Sequence, residues 1–298
     1  GKGDAGADNV FDLARGCEVR IEAAGEKSKI QVKLLSGTAE VFGTELPANQ
    51  IVDVSGLNVA VFTHHGCKVE VLGNPSIIYE ADETPMTSYL NAHAVLHRMR
   101  EQARAAKDAK GGPRVVVCGP VDVGKSTLVR ILANYACRQG FKPLVCDLDI
   151  GQGSITVPGS IACVPMDEVC EVGAGIPQDS ALCFSYGHVS PSENIDHYKR
   201  NVARLASLVD AFMASNANSA TASSAGGCLV NTMGWVEGVG YKLLLHQIEA
   251  FRADVVLVVG HDRLHMQLTK HFAGKGKGGK RQGPEVVSLQ RSGGVVPR

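Results

Sequence analysis

Two glycines, a lysine and a serine stand at fixed spacing in residues 119–126, which read Gly-Pro-Val-Asp-Val-Gly-Lys-Ser. An apolar run over 115–118 precedes this segment, and a run with apolar residues at helical spacing, 126–138, follows it. A loop of the form G-x-x-x-x-G-K-S/T between a strand and a helix is typical of phosphate binding, because its backbone N–H groups point into one concavity. A glycine-rich turn that matches by chance would lack the flanking strand and helix. The sequence therefore predicts a nucleoside triphosphate site.

Within this loop, Lys125 and Ser126 carry the chemistry. The mobile Lys125 ammonium is expected to contact the β- and γ-phosphates of ATP, and the Ser126 hydroxyl is a natural ligand for Mg²⁺. ATP and Mg²⁺ are therefore the predicted cofactors. The loop residues that we predict to contact ATP are Gly119, Asp122, Val123, Gly124, Lys125, Ser126 and Thr127.

The charge balance and the cysteines limit the classes of function. The 298 residues carry 30 basic and 30 acidic side chains, so the chain as a whole does not attract polyanions. A nucleic-acid site must then be a local patch. The nine cysteines form no C-x-x-C pair, which indicates reduced thiols in the cytosol or nucleus. The chain has no run of about 18 apolar residues, which argues against a membrane span.

The polarity pattern changes near residue 84. Residues 1–9 are polar and glycine-rich, and we predict a disordered N-terminus. Residues 10–83 alternate in polarity between turn signals, which predicts an antiparallel β-sandwich or barrel domain. Thr84 and the proline after it predict the start of a linker helix over 84–113.

From residue 114 to residue 298, apolar strands alternate with helices. This pattern predicts a parallel sheet that is covered on both faces. The predicted strands are 115–119, 143–150, 228–232 and 254–260. The fold class that we predict is therefore α/β, a P-loop NTPase sheet preceded by an antiparallel β domain.

Two acidic residues end the second predicted strand of this sheet. Asp147 and Asp149 are two positions apart, so both side chains point to the same side of a strand. Ligands of open α/β sheets bind beyond the carboxyl ends of the strands, where Asp149 falls. We predict that Asp149 organises Mg²⁺ or accepts the proton of an attacking hydroxyl. For Asp147 a capping role in the next turn is the favoured alternative, and the sequence does not decide the role of Gln152.

The single tryptophan of the chain, Trp235, stands between glycines after another apolar strand. A buried core position is the usual expectation for a large aromatic side chain. A strand end is instead an exposed place that faces the ligand crevice, and a tryptophan there can stack on a nucleobase. Position alone leaves both interpretations open.

Several segments together resemble one family, the eukaryotic Clp polynucleotide 5′-hydroxyl kinases, which are subunits of pre-mRNA cleavage factor II. The matching segments run in order along nearly the whole chain and include patterns far from any generic nucleotide motif. They are 38–46, 61–67, 119–127, 148–154, 234–241 and 292–296.

The resemblance implies an N-terminal β domain, a central P-loop kinase domain and a C-terminal domain, the last of which we expect to be absent from this sequence. It also implies ATP-dependent phosphorylation of RNA 5′-hydroxyl ends in the nucleus. The implied setting is the machinery of mRNA 3′-end cleavage and polyadenylation, with tRNA splicing in animals. The implied partners are RNA 5′ ends and other cleavage-factor subunits.

The resemblance also implies roles at the transfer site. Asp149 would activate the RNA hydroxyl, and Trp235 would stack on the terminal base opposite a segment with Ser190 and Pro191. Arg298 matches a lid arginine that neutralises the transferring phosphoryl group, so its loss would slow transfer strongly. This gives Lys125, Asp149 and Arg298 as the predicted catalytic residues, with Ser126 and Asp149 as metal ligands.

Two further implied contacts lie in the β domain. Glu18 would contact the adenine, and Asn58 stands where the family typically carries a lysine. We expect this change to weaken or alter adenine contact without abolishing phosphate binding.

Two other functions stay open at this point. One is a catalytically silent, ATP-bound structural subunit of the cleavage complex, stabilised by its ligand. The other is a small-molecule kinase or another P-loop ATPase, since the phosphate loop alone leaves the acceptor unspecified.

Overall fold

The computed structural model describes residues 9–23, 25, 29–106, 111–215, 222–273 and 283–293. Contacts divide the chain into two units, one formed by the residues up to Thr87 with Cys170–Gly175, and one formed by the rest. The predicted disordered N-terminus lies outside the described residues except for Asn9.

The first unit contains two antiparallel sheets around one apolar core. The four-stranded sheet has the order β1-β8-β3-β6 and the five-stranded sheet the order β5-β4-β7-β2-β9. The strands are β1 (Val10–Leu13), β2 (Glu18–Glu22), β3 (Ile30–Gly37), β4 (Glu40–Val41), β5 (Thr44–Glu45), β6 (Ile51–Asp53), β7 (Val59–Phe62), β8 (Cys67–Gly73) and β9 (Ile77–Ala81).

Alternation along β3 shows how this core forms. Ile30, Val32 and Leu34 are buried while the residues between them are half-buried, so one face of the strand points into the core. Buried side chains from both sheets, such as Val19 and Val69, belong to the same cluster. The predicted antiparallel β fold is therefore confirmed, in the form of a sandwich.

A short segment from much later in the chain completes this unit. Val172 is buried in the core of the two sheets, and Thr44 Oγ1 donates a hydrogen bond to Cys170 O at 2.8 Å. The sequence pattern places these residues in the range 114–298, since nothing in 170–175 has the pattern of a strand.

Helix α1 (Met86–Ala106) follows the sandwich. Thr84 Oγ1 accepts a hydrogen bond from Met86 N at 3.3 Å, as the predicted capping role requires. From Ser88 onward this helix groups with the second unit. Residues 107–110 of the predicted linker helix lie outside the described residues.

The second unit is built on a seven-stranded sheet with the order β13-β12-β11-β14-β10-β15-β16. Its strands are β10 (Arg114–Cys118), β11 (Leu144–Asp147), β12 (Ser160–Pro165), β13 (Leu182–Ser185), β14 (Cys228–Asn231), β15 (Val255–Val259) and β16 (Glu285–Leu289). Five strands are parallel, whereas β12 and β13 pair in antiparallel fashion. The predicted α/β class is confirmed, and the four strands predicted from the sequence, β10, β11, β14 and β15, are parallel. The strands β12 and β13 add an antiparallel edge that the sequence did not predict. No helix lies between β11 and β12, and a parallel crossover needs such a connection.

Helices pack on this sheet around a large apolar core. They are α2 (Lys125–Arg138), α3 (Ile195–Ser215), α4 (Ala222–Gly226), α5 (Val239–Ala250) and α6 (Asp262–Phe272). None of the helices that the structure describes combines the length and hydropathy that crossing a membrane requires. The carboxyl ends of β10, β11 and β14 are adjacent, which brings the segments after them to one edge.

Candidate functional site

The backbone after β10 adopts conformations that favour glycine. Gly119 has φ +151°, and a side-chain carbon there would lie 2.5 Å from Val259 O. Gly124 has φ +90° and forms the N-cap of α2 without any side-chain hydrogen bond to the helix start. The first N–H groups of a helix have no intrahelical partner, and this cap leaves them to an external anion. The structure therefore gives residues 119–126 the backbone form that a phosphate requires.

The Lys125 side chain is buried against this loop. It is 7% exposed, and its Nζ donates a hydrogen bond to Pro120 O at 2.6 Å. Burial lowers the pKa of Lys125, while the nearby carboxylate of Asp149 opposes this effect. An ammonium group that has lost its water in this way interacts strongly with phosphate oxygens.

Asn231, at the end of β14, joins the loop to the strand β11. Its Nδ2 donates to Ser126 Oγ at 3.2 Å and to Asp147 Oδ1 at 3.0 Å. Its Oδ1 is buried without a hydrogen-bond partner in the described part of the chain. No role was predicted for Asn231 from the sequence, although a polar side chain at the end of a buried strand beside the phosphate loop was a usable signal.

Asp147 is an internal support for the site. It is 2% exposed, and its Oδ2 accepts hydrogen bonds from the backbone and hydroxyl of Ser154, at 2.6 and 2.7 Å. Its Oδ1 accepts from Asp149 N at 3.0 Å. Burial raises the pKa of Asp147, and these hydrogen bonds counter that effect. The structure thus favours the capping alternative for Asp147, since its carboxylate accepts backbone N–H groups of the turn that follows.

Asp149 lies in the loop that Asp147 holds. Its Oδ1 accepts hydrogen bonds from the N–H groups of Gly151 and Gln152, each at 3.0 Å, so the carboxylate is fixed in direction. The side chain is half-buried and interacts electrostatically with Lys125. The structure therefore brings Lys125, Ser126 and Asp149 to one edge of the sheet, as the sequence predicts.

The loop with Trp235 is pressed against the phosphate loop. A side-chain carbon at Gly234 would lie 2.5 Å from Val121 N, and one at Gly240 would lie 2.4 Å from Trp235 Cγ. Trp235 itself is 39% exposed. Of the two interpretations left open by the sequence, the structure supports the exposed one.

The predicted partner segment of Trp235 lies beside Asp149. A side-chain carbon at Gly151 would be 3.2 Å from Val189 O, so the chain just before Ser190 contacts the Asp149 loop. The Ser190 and Ser192 hydroxyls are 2.7 Å apart, and Pro191 is buried in a 3₁₀ turn, Pro191–Glu193. Ser190 is half-buried and stays accessible, whereas most of the Pro191 ring is covered.

Three predicted site residues belong to other parts of the chain. Glu18 and Asn58 belong to the first unit. The Glu18 carboxylate is buried and bonded to Arg20 Nε and Thr84 Oγ1, each at 2.6 Å, and Asn58 Oδ1 accepts from Ala23 N at 3.1 Å. Their contact with adenine stays a prediction. Arg298 lies outside the described residues.

The residues at this edge fit a magnesium nucleotide. Mg²⁺ prefers oxygen ligands and is usually held by one or two protein groups together with phosphates and water. The hydroxyl of Ser126 and the carboxylate of Asp149 supply such oxygens, and the orphaned Asn231 Oδ1 suits the same site. Within the described ranges, no three His, Cys, Asp or Glu side chains are grouped as metal ligands, so an all-protein metal cage is not found.

Two family models match most of the chain. The family model described as mRNA cleavage and polyadenylation factor CLP1 P-loop matches residues 119–298. The model described as N-terminal beta-sandwich domain of polyadenylation factor matches residues 12–103.

Curated relatives match over almost the whole chain. The Protein CLP1 homolog of Arabidopsis thaliana is 43% identical over 291 residues, covering 96% of this chain and 63% of the relative. Polyribonucleotide 5′-hydroxyl-kinase Clp1 of Homo sapiens is 40% identical over 292 residues, covering 97% of this chain and 64% of the relative. The chain thus spans just under two thirds of the length of these relatives.

Solved structures share the fold. A complex of wild-type Clp1p with Pcf11p matches with a TM-score of 0.79 at 23% identity, covering 98% of this chain and 69% of that chain. A second complex, described by an extended interface between Pcf11p and Clp1p, has a TM-score of 0.79 at 22% identity and covers 98% and 70%.

Proposed function

Because the chain belongs to the family of the mRNA cleavage and polyadenylation factor CLP1, we propose that it is an ATP-dependent kinase of RNA 5′-hydroxyl ends. One structural observation carries this proposal. The buried Lys125 of the phosphate loop lies beside the oriented carboxylate of Asp149, and the loop of the exposed Trp235 is packed against the same phosphate loop. A phosphate site, a general base and a stacking surface are the three parts that such a transfer needs.

The phosphate loop binds and orients the donor. The N–H groups at the start of α2 and the Lys125 ammonium hold the β- and γ-phosphates, and the glycines allow the backbone to approach them. The Ser126 hydroxyl and Asp149 are the proposed Mg²⁺ ligands. Bound ATP and Mg²⁺ supply the phosphoryl group and the charge that neutralises it.

Asp149 acts on the acceptor. Its carboxylate is held by the Gly151 and Gln152 amides, so an oxygen keeps a constant direction while it accepts the proton of the RNA 5′-hydroxyl. The terminal base stacks on Trp235, with the segment around Ser190 on the other side. Glu18 and Asn58 contact the adenine, and Arg298 neutralises charge on the transferring group.

The proposed setting is the nuclear machinery of mRNA 3′-end cleavage, with tRNA splicing as a further role. The solved relatives are complexes of Clp1p with Pcf11p, and relatives of 40% identity are named as 5′-hydroxyl kinases. On this basis the chain docks at least one other cleavage-factor protein.

The proposal is tested by label transfer from γ-labelled ATP, with Mg²⁺, to a short RNA that carries a 5′-hydroxyl. The same RNA with a 5′-phosphate is the substrate control. Lys125→Ala is compared with Lys142→Ala, which removes a surface lysine paired with Asp167 at 2.9 Å. We expect transfer by the parent and the Lys142 variant, and none by the Lys125 variant.

A parent protein that retains ATP but transfers no label to RNA would contradict the proposed kinase function. It would support the structural-subunit alternative if a longer chain that restores the remaining third of the relatives' length were equally silent. Label on the 5′-phosphorylated RNA, or on a small-molecule hydroxyl alone, would contradict the proposed acceptor.

A further inference from the structure

A cavity lies beside the loop of Trp235, between residues 236–241 and the first turns of α6. Its volume is about 320 Å³, which falls within the range of about 300–1,000 Å³ for small-molecule sites. It is lined by Val236, Glu237, Gly238, Tyr241, His261, Arg263 and Gln267. Neither the phosphate loop nor the acidic loop contributes a residue to it, so the transfer reaction does not account for this cavity.

The lining combines an aromatic ring, a cation and polar side chains. Tyr241 is half-buried and Arg263 is 76% exposed along its side chain, so both the ring and the guanidinium are accessible. His261 Nδ1 accepts a hydrogen bond from Leu264 N at 2.9 Å, which leaves Nε2–H of the neutral imidazole as a donor. Gln267 adds an amide that can donate and accept. This set suits a nucleotide, whose base stacks and whose phosphate attracts a guanidinium.

The cavity is lined by the residues that directly follow Trp235 in the chain. Val236 and Glu237 directly follow Trp235, and consecutive Cα atoms are about 3.8 Å apart. Gly240, in the first turn of α5, lies close to the Trp235 ring. A strand whose first base stacks on Trp235 therefore reaches this cavity with its next nucleotides.

Resting on the proposed kinase function, we propose that this cavity binds a downstream nucleotide of the RNA acceptor. Tyr241 offers the ring for the base, and Arg263 binds the backbone phosphate. The cavity thereby makes oligonucleotide acceptors bind better than single nucleotides.

The carboxylate of Glu237 also lines the cavity, and it should affect RNA binding in the opposite direction to Arg263. Glu237 Oε1 lies 3.9 Å from Arg263 Nη1, and both side chains are largely exposed. An RNA phosphate at Arg263 has to displace Glu237 and is repelled by it. Removing the Glu237 charge should therefore strengthen RNA binding, whereas removing Arg263 should weaken it.

The test measures binding of a 5′-hydroxyl hexaribonucleotide and of a free nucleoside, which lacks the downstream phosphate and base. Binding is read from the fluorescence of the single tryptophan and, for the hexanucleotide, also from the anisotropy of a 3′-fluorescein label. The variants are Arg263→Ala, Glu237→Gln and the matched control Lys270→Ala, which removes an exposed charge of the same helix outside the cavity.

We expect Arg263→Ala to weaken hexanucleotide binding by about three- to tenfold and to lower the salt dependence by about 0.7 in log–log slope, as loss of one single-strand phosphate contact requires. Glu237→Gln should tighten it by about two- to fivefold, through loss of the repulsion. Lys270→Ala should change neither the hexanucleotide affinity nor its salt dependence. The free nucleoside should bind all four proteins equally.

Equal effects of Arg263→Ala and Lys270→Ala, equal losses on both ligands, or no hexanucleotide binding by either readout would overturn the proposal. Hexanucleotide binding that no variant changes would likewise overturn the proposal. The binding assay needs no turnover. If the variants change RNA binding as expected but no label is transferred, only the proposed kinase function is contradicted. Label transfer with unchanged binding in Arg263→Ala overturns only the downstream site.

Discussion

Asn231 Nδ2 lies 3.0 Å from Asp147 Oδ1 and donates a hydrogen bond to it inside the protein. The same group donates to Ser126 Oγ, so one amide connects the end of β14 to the phosphate loop and to β11. Asp147 in turn binds the backbone of Asp149 and Ser154. The acidic loop therefore keeps its place relative to the phosphate loop through a chain of buried hydrogen bonds.

Asn231→Ala should weaken both the fold and ATP binding. A buried carboxylate that loses a hydrogen bond costs about 1–3 kcal/mol. Urea unfolding and equilibrium binding of ATP with Mg²⁺ measure the two effects. Asn201→Ala is the matched control, since Asn201 is also buried and donates to Ser185 O at 3.2 Å outside the site. Equal ATP affinity in both variants would show that Asn231 is only structural.

Gly119→Ala should disrupt the phosphate loop. The substitution combines φ +151° with a side-chain carbon 2.5 Å from Val259 O. The comparison is Gly140→Ala, where φ is +76° and the new carbon meets nothing within 4 Å. Strain alone costs about 1–2 kcal/mol, so the Gly119 variant should lose more than the Gly140 variant in urea unfolding. It should also lose ATP binding. A Gly119 variant with the stability of the Gly140 variant and with parent-like ATP binding would contradict the described loop geometry.

Trp235→Ala should weaken RNA binding and spare ATP binding. Loss of one base stack costs about 1–3 kcal/mol, or roughly 5- to 150-fold in affinity. Anisotropy of a 3′-labelled hexanucleotide measures the affinity for RNA. Val239→Ala, a change at a neighbouring exposed apolar residue, is the control and should leave binding near the parent value. Parent-like RNA affinity in the Trp235 variant would remove the stacking role.

His93 should make the fold sensitive to acid. Burial lowers the pKa of His93 to about 4, and Arg100, His97 and Arg138 act in the same direction. Below pH 6.5 the unfolded chain takes up this proton while the folded chain does not, so stability falls as pH decreases from 6.5 toward 4. We expect a loss of about 1 kcal/mol between pH 7 and pH 5, after allowance for solvent screening.

Urea unfolding at the two pH values measures this loss. His93→Leu should remove that part of the pH dependence, and His188→Leu, at an exposed position, should retain it. An unchanged pH dependence in His93→Leu would contradict the assignment.

The sequence predicted the elements whose signals are local. The spacing of Gly119, Gly124 and Lys125 between an apolar strand and a helix determined the phosphate loop, and alternating polarity determined the antiparallel sandwich. Both follow from short-range backbone and burial rules.

Features that depend on distant residues were missed. The antiparallel strands β12 and β13, the contribution of Val172 to the sandwich core and the Asn231–Asp147 hydrogen bond arise from pairings across many residues.

Asp149 is central to the proposed mechanism as the group that accepts the proton from the acceptor hydroxyl. The measurement is the single-turnover rate of label transfer to a 5′-hydroxyl RNA at saturating ATP and Mg²⁺, for the parent and for Asp149→Asn. The amide keeps the shape of the side chain but does not act as a base, so we predict a rate lower by a factor of about 10²–10⁴. A variant that transfers the label at the parent rate would contradict the proposed mechanism.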